Sequence, residues 1–406
     1  RVGRRRHSLY TERHRSHEES RHVDDPMIRC HWLDALLVSL LIGGAADAQS
    51  VVRVGAAHYA TIQAAIDAAA PGDRVLVDAG IYDAFSVAKP LTISAQPSAL
   101  VQIVALGAIS INLAPFEICN LAGLDIEVPS MTISGGVCSA ERCTIRTVTG
   151  LEVSNNNLAL RWSSVWASSG SGLHLQNGHL HASDCTISTG AGSSSRSTYA
   201  GLYVYGLCTC SLSQCTLMGA WPNTLTEPDA SVAMDVTGMQ ANGQRAWLLD
   251  CSLFGGFQAN GNLGKAMRAP LAPAPAPVRL HRPTILGAIE GQVGYGTVIG
   301  VRTSVDMNVG APFTTTMTGD PGSFHLFYGG TRVLGSFQTP HLEQPALGFF
   351  DTLILGVVLA DAQGEADFTF AVPNNPCVRH AVVWWRGVDI LVYPWQATPA
   401  FATIVQ

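Results

Sequence analysis

A four-residue phrase recurs through the middle of the chain, and no other feature restricts its fold as much. Gly123-Leu124-Asp125-Ile126 returns as Arg142-Cys143-Thr144-Ile145 and Trp162-Ser163-Ser164-Val165. It returns again as Asp184-Cys185-Thr186-Ile187, Gln214-Cys215-Thr216-Leu217 and Asp250-Cys251-Ser252-Leu253, at intervals of 19 to 36 residues. A second phrase drifts with the first: Ala108-Ile109-Ser110-Ile111, Ser130-Met131-Thr132-Ile133, Gly150-Leu151-Glu152-Val153, Gly172-Leu173-His174-Leu175, Gly201-Leu202-Tyr203-Val204 and Ala233-Met234-Asp235-Val236. Two registers drifting together mark a structural repeat. Each phrase alternates apolar and polar residues, as a strand with one buried face does. One coil of such strands cannot bury its apolar face alone, whereas coils stacked about 4.8 Å apart can.

Stacking converts positions into columns. Leu124, Cys143, Ser163, Cys185, Cys215 and Cys251 are expected in one inward column, with Ile126, Ile145, Val165, Ile187, Leu217 and Leu253 in the next. Asp125, Thr144, Ser164, Thr186, Thr216 and Ser252 should form an outward ladder. The long intervals should be absorbed by surface loops at Thr189–Thr198 and Ala220–Ser231. The first coil leaves an open core and an unpaired edge. Residues 59–70 read as an amphipathic helix with Ile62, Ala65, Ile66 and Ala69 on one face, ended by Pro71-Gly72. That helix is expected to plug the coil.

The stretch Thr61-Ile62-Gln63-Ala64-Ala65-Ile66-Asp67-Ala68-Ala69-Ala70-Pro71-Gly72-Asp73, with Val75-Leu76-Val77, Gly80-Ile81-Tyr82 and Lys89-Pro90-Leu91-Thr92-Ile93, resembles the opening of right-handed parallel β-helix proteins of the pectin-lyase-like superfamily. The similarity is clearest to pectin methylesterase-type N-termini and covers about 59–255, roughly half the chain. It implies an all-β fold: a right-handed parallel β-helix with an N-terminal capping helix, here followed by a small antiparallel β-sandwich. It does not imply one activity, because one fold hosts many chemistries. The paired Asp, Gln and Arg phrases of the esterases and the Asp/Arg phrases of pectate lyases are absent from this sequence. Lys89 is the only lysine between residues 49 and 264.

Apolar residues make up 47% of the 406 residues and charged residues only 13%, with a net charge of −6. That balance excludes a disordered chain and a polybasic nucleic-acid binder. The start has its own character. Residues 1–26 are Arg-rich without an apolar run and read as upstream, untranslated or disordered sequence. Residues 27–48 carry a basic start, an apolar run from Ala35 to Ile42 and Ala46-Asp47-Ala48, the pattern of a signal peptide. The expectation is a secreted, periplasmic or cell-surface protein with no membrane span after signal removal.

The expected domains are a β-helix over 49–256, a Pro-rich linker over 257–283 and a β-sandwich over 284–406. Strands in the last are expected at Gly296–Thr303, Ser323–Tyr328, Thr352–Leu359, Ala366–Val372, Ala381–Trp385 and Ile390–Tyr393. Trp384 and Trp385 should alternate in and out, leaving one in the core and the other as a sugar platform or an edge cover.

Candidate chemistry is sparse. Asp125 and Glu127 point outward from one strand, and Arg146 of the next coil should stack beside Glu127. With Arg142 these form the candidate catalytic set, carboxylates being the groups that cleave glycosidic bonds. The alternative is a surface ion pair of little energetic weight. Arg146, Trp162, Asp184 and Trp385 are the candidate substrate-binding residues, aromatic faces and polar neighbours being what sugars need. Trp166 extends the same groove. His174, His179 and His181 lack ligands at zinc spacing. Cys185 and Cys215 fall on adjacent coils, where either a disulfide or stacked free thiols fits. No cofactor is expected; calcium is the ion the lyase alternative would bring in. The expectation for function is a non-catalytic carbohydrate-binding or cell-surface protein, the alternative a polysaccharide lyase, hydrolase or esterase. The partner in either case is a polysaccharide or cell-surface glycan, not nucleic acid.

Overall fold

A computed structural model describes residues 50–190, 199–220, 232–239, 245–256, 263–271 and 278–295. It further describes 298, 300–303, 307–330, 333–337, 346–349, 353–374, 382–390, 396–398 and 401–405. The expected leader over 1–48 lies outside these residues, as do most of the two expected surface loops.

Three parallel sheets run the length of the repeat. Sheet A has eleven strands, from Val51–Val54 to Val293–Tyr295. Sheet B has nine, from Gly80–Tyr82 to Thr284–Leu286, and sheet C nine, from Ser86–Val87 to Ala288–Glu290. The chain visits A, B and C in turn, and every pairing within them is parallel. This is the parallel β-helix that the two phrases imply: the first lies on sheet B, the second on sheet C.

The expected columns form. On sheet B, Thr144 pairs Asp125 and Ser164, Thr186 pairs Ser164 and Thr216, and Ser252 continues the ladder. Ile126, Ile145, Val165, Ile187, Leu217 and Leu253 follow one another inside, all buried. Each fully buried side chain of this kind contributes roughly 1.5–3 kcal/mol, so the stacked columns are the main source of stability. Sheet A supplies the third wall through Cys119, Cys138, Leu158, Leu180 and Cys210.

The corner between sheets A and B has one recurrent geometry. Arg142, Trp162, Asp184, Gln214, Asp250 and Arg282 sit at φ of 46 to 54°, with Gly123 at 69°. Left-handed backbone costs a non-glycine residue about 1–2 kcal/mol. The next residue offsets part of this. The Cys143, Cys185, Cys215 and Cys251 thiols donate to the carbonyl two residues back at 3.1 to 3.4 Å, and Ser163 Oγ does so at 2.8 Å. The Cys column is therefore a row of small inward donors. All eight described cysteines are free and buried.

The helix forms over Ile62–Ala68, with Thr61 Oγ1 accepting from the Ala64 N–H at 3.1 Å. Ile62, Ala65, Ile66 and Ala69 are buried in the β-helix core, as expected of a plug.

One boundary differs from expectation. The solenoid continues past 256, and the expected linker contains its strands Lys265–Arg268 and Val278–His281. Arg282-Pro283-Thr284-Ile285 is a further copy of the first phrase, in register with Ser252 and Leu253. Pro283 stands where the other copies carry Cys or Ser, which hides the copy from a search for Cys-Thr-Ile.

The C-terminal module is antiparallel. Gly300–Thr303, Pro312–Thr318 and Glu365–Ala371 make one sheet. Leu353–Leu359, Phe324–Gly330 and Val382–Asp389, with Gln396–Ala397 and Phe401–Ile404, make the second. Met307, Phe313, Met317, Phe327, Leu355 and Trp385 pack between them. Pro312–Thr318 is a strand the sequence reading did not expect; its proline occupies the first position, where a missing N–H is tolerated. The expected strand at Ile390–Tyr393 falls largely outside the described residues.

Candidate functional site

The module docks on the outer face of sheet A. Trp384 and Ala402 cluster with Val137 and Ala159, and Arg161 Nη1 donates to Thr403 Oγ1. The outward residues Ser139, Ala159, His181, Ser211 and Trp247 are buried beneath it, and Thr92 and Asn120 of earlier coils are buried as well. The two tryptophans alternate as expected, but neither is a platform. Trp385 stacks on Phe313 with ring centroids 5.7 Å apart and meets Phe370 at 5.2 Å. The sugar-binding role expected for Trp385 is thereby corrected: its ring is sealed in the module core, and that of Trp384 in the interface.

On sheet B, Arg146 does stand beside Glu127. Its Nη2 donates to both Asp125 oxygens at 2.7 and 3.0 Å, and its Nε lies 3.6 Å from Glu127 Oε2. One guanidinium thus holds both carboxylates. Arg142 belongs to a different group: its guanidinium lies over the Trp162 ring, 5.0 Å from the centroid, with Arg161 at 3.6 Å. The structure therefore divides the sequence-derived set. Asp125, Glu127 and Arg146 share the sheet B face, while Arg142, Trp162 and Asp184 line the left-handed corner. Trp166, 40% exposed and in register with Arg146, stands in the same outward column of sheet B as the partly exposed Phe254.

The three histidines also separate. His174 faces outward on sheet C; His179 and His181 lie under the module on sheet A. Among the described residues, no three His, Cys, Asp or Glu stand where they could hold a metal ion. No described helix is long and apolar enough to cross a membrane.

Sheet C carries the group that the sequence reading passed over. Glu152, His174, Tyr203, Asp235, Arg268 and Glu290 are successive register partners, so one outward column carries five charged or titratable types. The His174 and Tyr203 rings meet at 5.0 Å. Partial burial pulls the His174 imidazole down from its usual range, opposed by Glu152, so it is neutral at pH 7. Burial, then the Asp235 and Tyr205 charges, push the Tyr203 phenol up, so it keeps its proton.

Asp235 is 2% exposed and fixed on three sides. It accepts from the Thr237 N–H at 3.0 Å and from Thr237 Oγ1 at 2.6 Å, and Arg268 Nη1 lies 3.8 Å away. Arg268 is itself held by Glu290 at 3.5 Å, which pairs with Lys265 at 2.7 Å. The register slips between Tyr203 and Tyr205, so the strand holding Asp235 and Thr237 bulges here. Bulges re-aim side chains and are common beside active sites. Tyr205 stands beside the column, 48% exposed, with Gln176 as its register partner. The column was visible in the second phrase, whose third position reads Ser110, Thr132, Glu152, His174, Tyr203, Asp235. Each residue at that position falls on the next coil, as the outward residues of the first phrase do.

No protein-family model and no curated protein matches the chain. Among solved structures, it is similar to the mannuronan C-5 epimerase AlgE6 A-module of Azotobacter vinelandii. That match has 12% identity and a TM-score of 0.18, over 58% of this chain and 90% of that one. At that score and identity, the similarity bears on neither activity nor residue roles.

Proposed function

We propose that this is an exported β-helix protein that binds a polysaccharide along the outer face of sheet C. The in-register column from Glu152 to Arg268 carries the reading. It is the one extended polar column on a described sheet face that combines a pair of tilted rings in contact, an oriented buried carboxylate and a guanidinium. With coils about 4.8 Å apart, its five residues span roughly 20 Å, room for several sugar units. Aromatic faces supply apolar area to a sugar ring, and the neighbouring polar groups supply hydrogen bonds. The middle coils of sheet A are covered by the C-terminal module. The leader pattern in residues 27–48 supports placement outside the cytoplasm, on the cell surface or in the periplasm.

The test is a glycan array probed with residues 49–406, followed by titration of the strongest hit. Tyr203→Ala and Tyr205→Ala should each weaken binding about tenfold or more with the melting temperature unchanged. Equal affinity in both variants would refute sheet C as the binding face.

A second reading is an enzyme on the same face: a lyase, hydrolase or esterase. It is favoured by one observation, that neutral His174, protonated Tyr203 and fixed Asp235 are groups able to accept or donate a proton. Turnover of the bound glycan, lost in Asp235→Asn with binding retained, separates it from the first.

A further inference from the structure

Arg74 is the outward residue of the second sheet A strand, Arg74–Val77, and is only 4% exposed. Its Nε and Nη2 both donate to Ser94 Oγ, at 2.9 and 2.8 Å. Its Nη1 is buried and has no hydrogen-bond partner, and no carboxylate among the described residues pairs with the group. Desolvation lowers its pKa only to about 10, so the guanidinium is charged at neutral pH. A buried cation without a counter-ion is unfavourable, and here the neighbouring space is not filled with protein.

A cleft of about 350 Å³ opens beside it, walled by Ser94, the turn at Gln96–Ala99, Glu141 and Arg142. Two features of the sequence create that space. The left-handed corner position, which carries Arg142, Trp162 and Asp184 on higher coils, is Gly123 here. The adjoining wall positions are Ala95 and Ala122, so no long side chain projects from that part of the wall. Glu141 does not neutralise the cleft, because it already faces Arg161 at 3.7 Å.

We infer that this cleft is an oxyanion-binding site, in which Arg74 and Arg142 receive a carboxylate, sulfate or phosphate group. A guanidinium matches the planar, two-oxygen edge of such groups. The anion is either free or carried on a sugar. The site is separate from sheet C and does not rest on the glycan reading.

The test is calorimetric titration of the folded protein with sodium phosphate, sodium sulfate and sodium galacturonate at constant ionic strength. Arg74→Gln and Arg142→Ala are titrated alongside, and circular dichroism confirms their fold. Saturable binding of any of the three, weakened about tenfold or more in Arg142→Ala and in Arg74→Gln where that variant folds, is expected. Binding confined to phosphate or sulfate identifies a free inorganic anion; binding confined to galacturonate identifies a sugar acid. Tyr203→Ala should bind the anion as the unaltered protein does, so loss of the sheet C reading leaves this result intact. No saturable binding, or equal binding in the folded variants, overturns the proposal.

Discussion

At the scale of single residues, the corner between sheets A and B shows how one backbone requirement shapes composition. A left-handed residue is followed by a small inward donor, and the thiol or hydroxyl returns its hydrogen to the carbonyl two residues back. Cys and Ser are therefore interchangeable there, as Ser163 among the cysteines shows. Burial pushes the Cys143 thiol up to about 12 and raises those of Cys185 and Cys251 as well, so these three are neutral and poor nucleophiles. Cys185→Ser should cost less than about 1 kcal/mol. Cys185→Val keeps the apolar character but loses the donor and adds bulk, and should cost about 1–3 kcal/mol. Urea unfolding of the two variants checks this; equal costs would mean that the hydrogen bond is idle. The alternation that marks Cys185 as inward was legible in sequence. The left-handed turn before it was not, because its column holds Arg, Trp, Asp and Gln, residues with no shared preference for that conformation.

At the scale of elements, the polar residues of sheet A look like a solvent face in sequence but lie against a second domain. His181 is buried and His179 half-buried there, beside Arg386. Desolvation first, and the Arg386 charge second, hold the His179 pKa down at about 4, and the same causes lower His181. The unfolded chain binds these protons near pH 6.5 and the folded one does not. The stability they confer is present above about pH 6.5 and is lost as the pH falls towards 4. From pH 7 to pH 4.5 the protein should lose roughly 2 kcal/mol or more from these sites. Thermal melts of the parent and of His181→Gln across that range test it, the variant showing the shallower slope. Parallel slopes would remove the histidines from the account. Nothing in the local pattern of His179-Leu180-His181 distinguishes a wet face from a covered one, since both alternate with period two.

At the scale of the molecule, the C-terminal module and the β-helix share an interface built from Trp384, Ala402, Val137 and Ala159, with Arg161 reaching Thr403. A chain ended after Tyr295 keeps every described coil but uncovers sheet A. It should melt at least several degrees lower and bind an environment-sensitive apolar dye. An unchanged melting curve would show that the contact is incidental. A chain ended at 256 should fare worse still, because it also removes the coil strands Lys265–Arg268, Val278–His281 and Thr284–Leu286. The Pro-rich run that reads as a linker interrupts the repeat rather than ending it. Pro283 preserves the corner geometry while erasing the Cys that identifies the phrase.

The repeat period, the inward columns and the capping helix were determined by the amino-acid sequence alone. Each follows from apolar spacing along a short stretch of chain, which physics reads locally. Only the tertiary structure decided which outer face is free. Sheets A, B and C all alternate in the same way, and what separates them is a module that folds back from more than two hundred residues away to bury one of them. The same holds for the residues around the candidate site. Glu152, His174, Tyr203, Asp235 and Arg268 follow one another at 22 to 33 residues in the chain, and become neighbours because successive coils superimpose.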